Sequence, residues 1–329
     1  MGRDAPAALD AFEMLTGLLL ALTTAVLWGL LPIALTVVLA RLDPYTITWY
    51  RFAASALVLG TVLAATQRLP AFGAISRSTW LLVVIALAAL AGNYVLYLVA
   101  LVHATPTVNQ TVIQLAPMFL LLGGLLVFKE RFTARQWAGF ALLLMGLLLF
   151  FNRRLSELRD LSGGLGLGVM LLVIAAIIWA AYGLVQKQLL RHLNSQQILW
   201  LIYLGAIVVL LPAASPGAVR DLNALQAWML AFCCLNTLIA YGAFAEALEH
   251  LEVSRVSAVL ALAPVFTMGS LWIASRFAPG LLEPEGLTIA SVAGALLVVG
   301  GSALCALGGS GVPALPQPPN GPVTLGSRD

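Results

Sequence analysis

The sequence predicts an all-α integral membrane protein, with ten transmembrane helices arranged as two inverted five-helix repeats. Three observations predict it. Hydrophobic types make up 61% of the 329 residues and charged types only 9%, against roughly 25% charged in an ordinary soluble domain. A soluble chain of this length cannot hide that much apolar surface in one core. Ten stretches are long enough to cross a bilayer, a crossing that takes about 20 apolar residues. The chain also repeats itself at nearly fixed offsets, with five spans in each copy.

Taken in order, the spans are 15–39, 44–65, 79–103, 105–128 and 133–152, then 163–190, 196–213, 225–248, 254–276 and 286–307. Residues 1–14 form a short segment before the first span. Its Arg3 stands against Asp4, Asp10 and Glu13, unlike the basic start of a secretory signal, so an uncleaved first helix is expected. The connections are short and hold most of the charge, as in RLDP (41–44), KERF (129–132) and RRLSELRD (153–160). Residues 308–329 are rich in Gly and Pro and are expected to be disordered.

Partners follow from the same counts. A net charge of +3, from 17 basic and 14 acidic residues, is too small for a nucleic-acid surface. Cys233, Cys234 and Cys305 lie inside apolar stretches without metal-ligand spacing, so buried thiols are expected and neither a metal nor a cofactor is. The expected partners are the lipid bilayer and a small-molecule substrate; the oligomeric state is left open. With the N-terminus in the cytoplasm, ten loop Lys and Arg lie inside and six outside. That bias predicts a multi-pass protein of the plasma (inner) membrane with both termini cytoplasmic.

The repeat is carried by residue types that rarely match by chance. An offset of 151 brings Trp28, Leu42, Ile47 and Trp49 onto Trp179, Leu193, Ile198 and Trp200. An offset of 147 brings Tyr94 and His103 onto Tyr241 and His250, and Leu115-Ala116-Pro117 onto Leu262-Ala263-Pro264. At 155, Glu130, Gly139 and Gly146 meet Glu285, Gly294 and Gly301. Five spans is an odd number, so the second copy enters the membrane from the opposite side. Inverted repeats of this kind are a transporter architecture, with the solute site near the midplane between the halves.

The stretches AVLWGLLPIAL, LDPYTITWYRFAASALVL and APMFLLLGGLLVFKERFTARQWAGFALLLMG, with ALAPVFTMGSLW and EGLTIASVAGALLVVGG in the second half, carry a resemblance over about residues 15–307. The chain resembles the EamA type of the drug/metabolite transporter superfamily. That resemblance implies EamA-like repeats over 15–152 and 163–307 and the transport of a small metabolite. The second copy departs from the pattern at SRFAPGLLEPE, where the connection before the last helix is longer and an equivalent of the Lys129–Glu130 turn is in doubt.

Polar and aromatic groups near span midpoints are the candidate substrate residues: Trp28, Asn93, Tyr94, Tyr97, Gln110, Gln114, Trp179, Tyr182, Asn236 and Tyr241. Lipid offers buried amides and hydroxyls no hydrogen bonds, so they either join helices to one another or line a cavity. Thr107, Gln110, Thr111 and Gln114 recur at helical spacing and form one polar stripe, whose counterparts Ser254, Ser257, Ala258 and Ala261 are smaller. Pro117 and Pro264 sit at the centres of spans four and nine, where each predicts a bend and is a candidate gate. Gly123, Gly124, Gly164 and Gly168 are read as sites of close helix packing rather than a nucleotide cradle.

Charge inside the spans is sparse. Arg51 is expected to reach the interface beside Asp43, with a gating or substrate-carboxylate role as the alternative. Lys187, near its helix end, is expected to snorkel. No carboxylate stands at a span midpoint, which argues against obligatory proton coupling. His103 and Glu246 are the candidates for coupling if it occurs, and an acidic rim of Glu246, Glu249 and Glu252 is the plainer reading. The expected function is a secondary transporter, an exporter or facilitator of a small amphipathic metabolite such as an amino acid. The alternative is a membrane-embedded enzyme, but no metal or nucleophile–base motif supports it.

Overall fold

Every backbone N–H and C=O that enters lipid has to be satisfied within the protein, and the chain meets this with helices, several of them closed at their starts by side chains. In a computed structural model the described residues are 4–128, 133–159, 161–162, 164–251, 253–278, 280, 282 and 285–307. Among them the helices are α1 (Asp4–Leu39), α2 (Pro44–Ala65), α3 (Arg77–His103), α4 (Pro106–Val112), α5 (Leu115–Phe128) and α6 (Ala134–Phe150). They continue as α7 (Leu165–Leu189), α8 (Ser195–Leu210), α9 (Ala224–His250), α10 (Val253–Leu260), α11 (Ala263–Phe277) and α12 (Ile289–Leu307). Seven stretches are long and apolar enough to cross a membrane, and α6 and α8 are shorter apolar helices. The Lys129–Glu130 turn, Gly163, Glu252, parts of the connection before α12 and the tail 308–329 lie outside the described residues.

Local sequence explains the helix starts. Asp43 accepts from the backbone N–H of Tyr45 and Thr46, with Pro44 as the first helical residue of α2. Reciprocal capping boxes open three more helices: Thr133–Gln136 on α6, Asn194–Gln197 on α8 and Asn223–Gln226 on α9. Among the described residues α1 runs from Asp4, so residues 4–14, read as preceding the first span, are continuous with it.

Apolar side chains cover the outside of the bundle, among them Leu57, Leu148, Val208, Trp228 and Phe277. A soluble protein would aggregate through such a surface; here it faces the bilayer. Inside, α1 packs on α9, α3 on α7, α2 on α8 and α6 on α12. Each pair joins one helix from each half of the chain. Small residues make the closest of these approaches. A Cβ added to Gly146 would lie 2.6 Å from Val298 N and 2.8 Å from Gly294 O. One added to Gly139 would lie 2.7 Å from Gly301 O. The glycines of the repeat therefore meet in crossed pairs across α6 and α12, Gly146 on Gly294 and Gly139 on Gly301.

Other interactions come in reciprocal sets. The Trp49 indole donates to Ile207 O and the Trp200 indole to Ala56 O, both at 3.1 Å. Donors and acceptors alike are 151 residues apart. Asn93 Nδ2 donates to Ala175 O, while the positions related by the offsets, Ala240 and Thr24, are joined by Thr24 Oγ1 donating to Ala240 O. Gly17 packs against His250 and Leu251, and Gly168, 151 residues later, packs against His103 and Ala104.

Gly146→Val forces a side chain into the backbone of α12 and is expected to destabilise the protein by about 1–3 kcal/mol or more. Gly92→Ala is the control, because a Cβ there meets nothing within 4 Å. Thermal unfolding in detergent should show a clearly lower midpoint for the first variant and little change for the second.

Candidate functional site

The segments expected to be the fourth and ninth spans are each divided into two helices. The regular α-helix is interrupted by two turn residues, Ile113–Gln114 between α4 and α5 and Ala261–Leu262 between α10 and α11, each bridged by tighter bonds such as Ala116 N–H to Ile113 O and Val265 N–H to Leu262 O. Neither break falls on the proline itself. Proline lacks an N–H and its ring clashes with the carbonyl four residues earlier, so Pro117 opens the chain at Ile113 and Pro264 opens it at Leu260. The expected bends are thus two-residue breaks in the regular helix lying just ahead of the two prolines. Gln114 Nε2 donates to Ala261 O at 2.9 Å. These two residues are 147 apart, so each break is tied to its counterpart in the other half.

The polar stripe of α4 is enclosed by protein. Thr107, Gln110, Thr111 and Gln114 are all buried. Tyr97 Oη donates to Gln110 Oε1 at 3.0 Å, and Asn109 Nδ2 donates to Tyr97 O at 2.9 Å. Thr111 Oγ1, Asn109 Oδ1 and Asn236 Oδ1 are buried without a hydrogen-bond partner among the described residues. Asn93 and Asn236 spend their amide N–H groups on Ala175 O and Leu27 O of neighbouring helices.

Aromatic candidates gather around a residue expected at the interface. Arg51 is only 4% exposed, and its guanidinium lies 4.5 Å from the Tyr94 ring centroid. Its Nε donates to Thr237 Oγ1 at 3.1 Å. Thr237 is the fourteenth residue of α9, roughly 20 Å along the helix at 1.5 Å per residue. The arginine therefore reaches inward to mid-depth, and the interfacial reading of Arg51 is corrected. Asp43 is occupied in capping α2. Tyr97 and Tyr203 lie within electrostatic reach of Arg51, and Tyr241 lies close to Tyr94, Tyr182 and Tyr203. Trp28 meets Tyr241 edge-on at 5.6 Å. Trp179 packs instead with the α5–α7–α12 core.

A cleft of about 430 Å³ opens at the end of the bundle where α1 and α3 finish and α4 and α9 begin. Thr36, Thr105, Pro106, Asn223, Gln226 and Glu285 are among its walls. Glu285 Oε1 accepts from Thr107 N at 3.0 Å, so a residue of the second half closes the start of α4 in the first. Burial pushes the Glu285 carboxyl above its ordinary value, against the opposing pull of Thr107, Thr105 and Arg154. Sequence reasoning finds Glu285 only as a repeat match and does not select Thr237 or the cleft residues. A lone arginine seven positions into an apolar helix is the one available signal for the centre.

The two candidates for coupling lie at helix ends. His103 is the last residue of α3, at the cleft end of the bundle, and packs against α7 at Gly168. Glu246 is at the other end, exposed and 3.7 Å from His250 Nε2, one turn along α9. The aromatic cluster lies between these two ends. Cys233 and Cys305 are buried and Cys234 is half-buried, all as free thiols.

A profile of the EamA-like transporter family matches residues 15–152 and 166–306. The chain belongs to that family. It is 39% identical over 293 residues to the "Uncharacterized inner membrane transporter YhbE" of Escherichia coli K12, covering 89% of this chain and 91% of the relative. An "Uncharacterized transporter" of Haemophilus influenzae is 41% identical, over 90% of this chain and 96% of its own. A "Probable amino-acid metabolite efflux pump" of Salmonella typhimurium is 25% identical, over 86% and 92%. One solved crystal structure superposes with a TM-score of 0.57 over 88% of this chain and 96% of that chain. At 18% identity it is a likeness of fold alone. This member of the EamA-like family is a membrane transporter with apolar helices in the bilayer.

The hydrogen bond from α4 to Glu285 should respond to pH. Below the ordinary carboxylate range the side chain is neutral whether the bond is made or broken. As pH rises, the solvated, broken form loses its proton first, so the bond weakens as pH climbs through the raised value. A cysteine placed at Val37, in the cleft wall, should react faster with an impermeant maleimide as pH increases, relative to the same cysteine in a Glu285→Gln background. A ratio of the two rates that stays flat from pH 4.5 to 8 counts against the assignment.

Proposed function

We propose that the chain is a secondary transporter that exports or equilibrates a small amphipathic metabolite, such as an amino acid, by alternating access of two inverted five-helix halves, 15–152 and 163–307. The observation that carries the reading is the pair of broken helices joined by Gln114 and Ala261. Discontinuous helices at the interface of two repeats are where transporters commonly hold their solute. Counting α6, α8 and the α4–α5 pair as spans brings the seven long stretches to ten. The reciprocal bonds of Trp49 with Ile207 and Trp200 with Ala56 are what a twofold axis in the membrane plane would generate.

Two near-equivalent halves exchange conformations at little cost, because an interaction that breaks on one face has a counterpart that forms on the other. With both termini cytoplasmic, the cleft beside Glu285 opens away from the cytoplasm. Trp28, Tyr94, Tyr97, Tyr182 and Tyr241 supply aromatic walls, and Gln110 and Gln114 supply the amides that must exchange partners when the path opens. Asn93, Asn236 and Trp179 brace the helices behind them, and Pro117 and Pro264 keep the two hinges from closing into continuous helix. The amino-acid assignment leans on the name of the Salmonella relative. Such a site of aromatic walls and few polar points suits a small neutral or zwitterionic solute.

Counterflow in liposomes tests the proposal. With unlabelled amino acid inside and labelled amino acid outside at equal pH, uptake should proceed at a rate comparable to that with an imposed pH gradient. Uptake seen only with a gradient, and lost in His103→Ala or Glu246→Gln, would overturn the uncoupled mechanism. Failure of every amino acid to exchange would overturn the solute class.

A further inference from the structure

The guanidinium of Arg51 is held at mid-depth with one neutral hydrogen bond and one aromatic face. Among the described residues no carboxylate lies within ion-pair distance of it, and only its Nε donates a hydrogen bond. An ionised side chain buried away from water costs several kcal/mol unless a counter-charge compensates it, and guanidinium stays protonated in proteins. Tying α2 to α9 does not require that cost, since a neutral amide at position 51 could donate to Thr237 equally well. The two terminal nitrogens form a planar fork that matches a carboxylate in bidentate geometry.

We infer that Arg51 is the recognition point for a carboxylate on the transported solute. The inference rests on the transporter reading and narrows its solute class. Thr237 turns the Nε edge of the guanidinium toward α9, which leaves the opposite, bidentate edge for the solute. Tyr94 stacks on the guanidinium face and restricts its rotation. Tyr241 and Trp28 meet edge to face with centroids 5.6 Å apart, and the ring face this leaves uncovered suits an ammonium group through cation–π attraction. A carboxylate on one side and an ammonium on the other is the charge pattern of an α-amino acid. The solute thus brings the missing counter-charge, and its binding removes the cost of the unpaired arginine.

Thermal stabilisation of the purified full chain in detergent tests this without a transport assay. The probes are the common amino acids, each beside its own amide, which keeps the ammonium and lacks the carboxylate. At least one free acid should raise the unfolding midpoint in a saturable way while its amide does not. Arg51→Gln should weaken that binding roughly 10- to 100-fold, as expected for a lost charged hydrogen bond, and Arg51→Lys should retain part of it. Should Arg51→Gln fail to fold, Thr237→Val serves instead, because it frees the guanidinium yet keeps volume and charge. It should weaken the free acid several-fold and leave the amide unchanged. Equal stabilisation by acid and amide, or binding untouched by either variant, overturns the inference and leaves the transporter reading standing. No stabilisation by any free acid overturns it too, and counterflow then judges the transporter reading separately.

Discussion

The hydrogen bond from Gln114 to Ala261 O sits where the chain least tolerates disorder. Two helices are kinked ahead of a proline, and a proline has no N–H to offer, so each kink leaves backbone groups that lipid cannot satisfy. Joining the two interruptions to one another meets part of that demand with a single side chain. The remaining polar groups of α4 are then drawn inward as well. Gln110 accepts from Tyr97, and Asn109 reaches the Tyr97 carbonyl. A polar centre in a membrane protein is therefore assembled outward from its broken helices.

Around that centre, close packing and polarity divide the work. The α6–α12 interface is built from glycines whose backbones nearly touch, so it resists change in either direction. The α2–α8 interface is held by two indole donors reaching opposite carbonyls. Helix α11 is tied to α1, where a Cβ on Gly29 would lie 2.8 Å from Ala263 O and Thr267 donates to Gly29 O. The α4–α5 and α10–α11 pairs are the elements kinked ahead of a proline, and the start of α4 meets the cleft through Thr105 and Glu285. Closely packed pairs on the flanks thus contrast with proline-kinked helices in the middle.

Arg51 shows how burial changes the meaning of a residue. Seven positions from Pro44, with a flexible stem, it could have turned toward the headgroups. The helix α9 offers it Thr237 at mid-depth, Tyr94 of α3 lies against its planar group, and Tyr203 of α8 is within electrostatic reach. A charge that looked peripheral along one helix is central once four helices surround it.

Composition, span lengths and the repeat of rare residues determined the class, the helical content and the family, because the bilayer imposes its demands on every span separately and those demands are written locally. Aromatic candidates such as Tyr94, Tyr97 and Tyr241 were also legible, since large amphipathic groups in the middle of apolar helices stand out from their neighbours. Which of them share a site was not. Whether Asn93 faces a path or the carbonyl of Ala175, whether Trp179 joins the cluster or packs beside α12, and where Arg51 points all depend on helices far away in sequence. Helix periodicity tells which residues share a face and leaves open what that face meets. Only the tertiary structure set Gln114 against Ala261 and Glu285 against the start of α4, because each of these bonds joins segments from opposite halves of the chain.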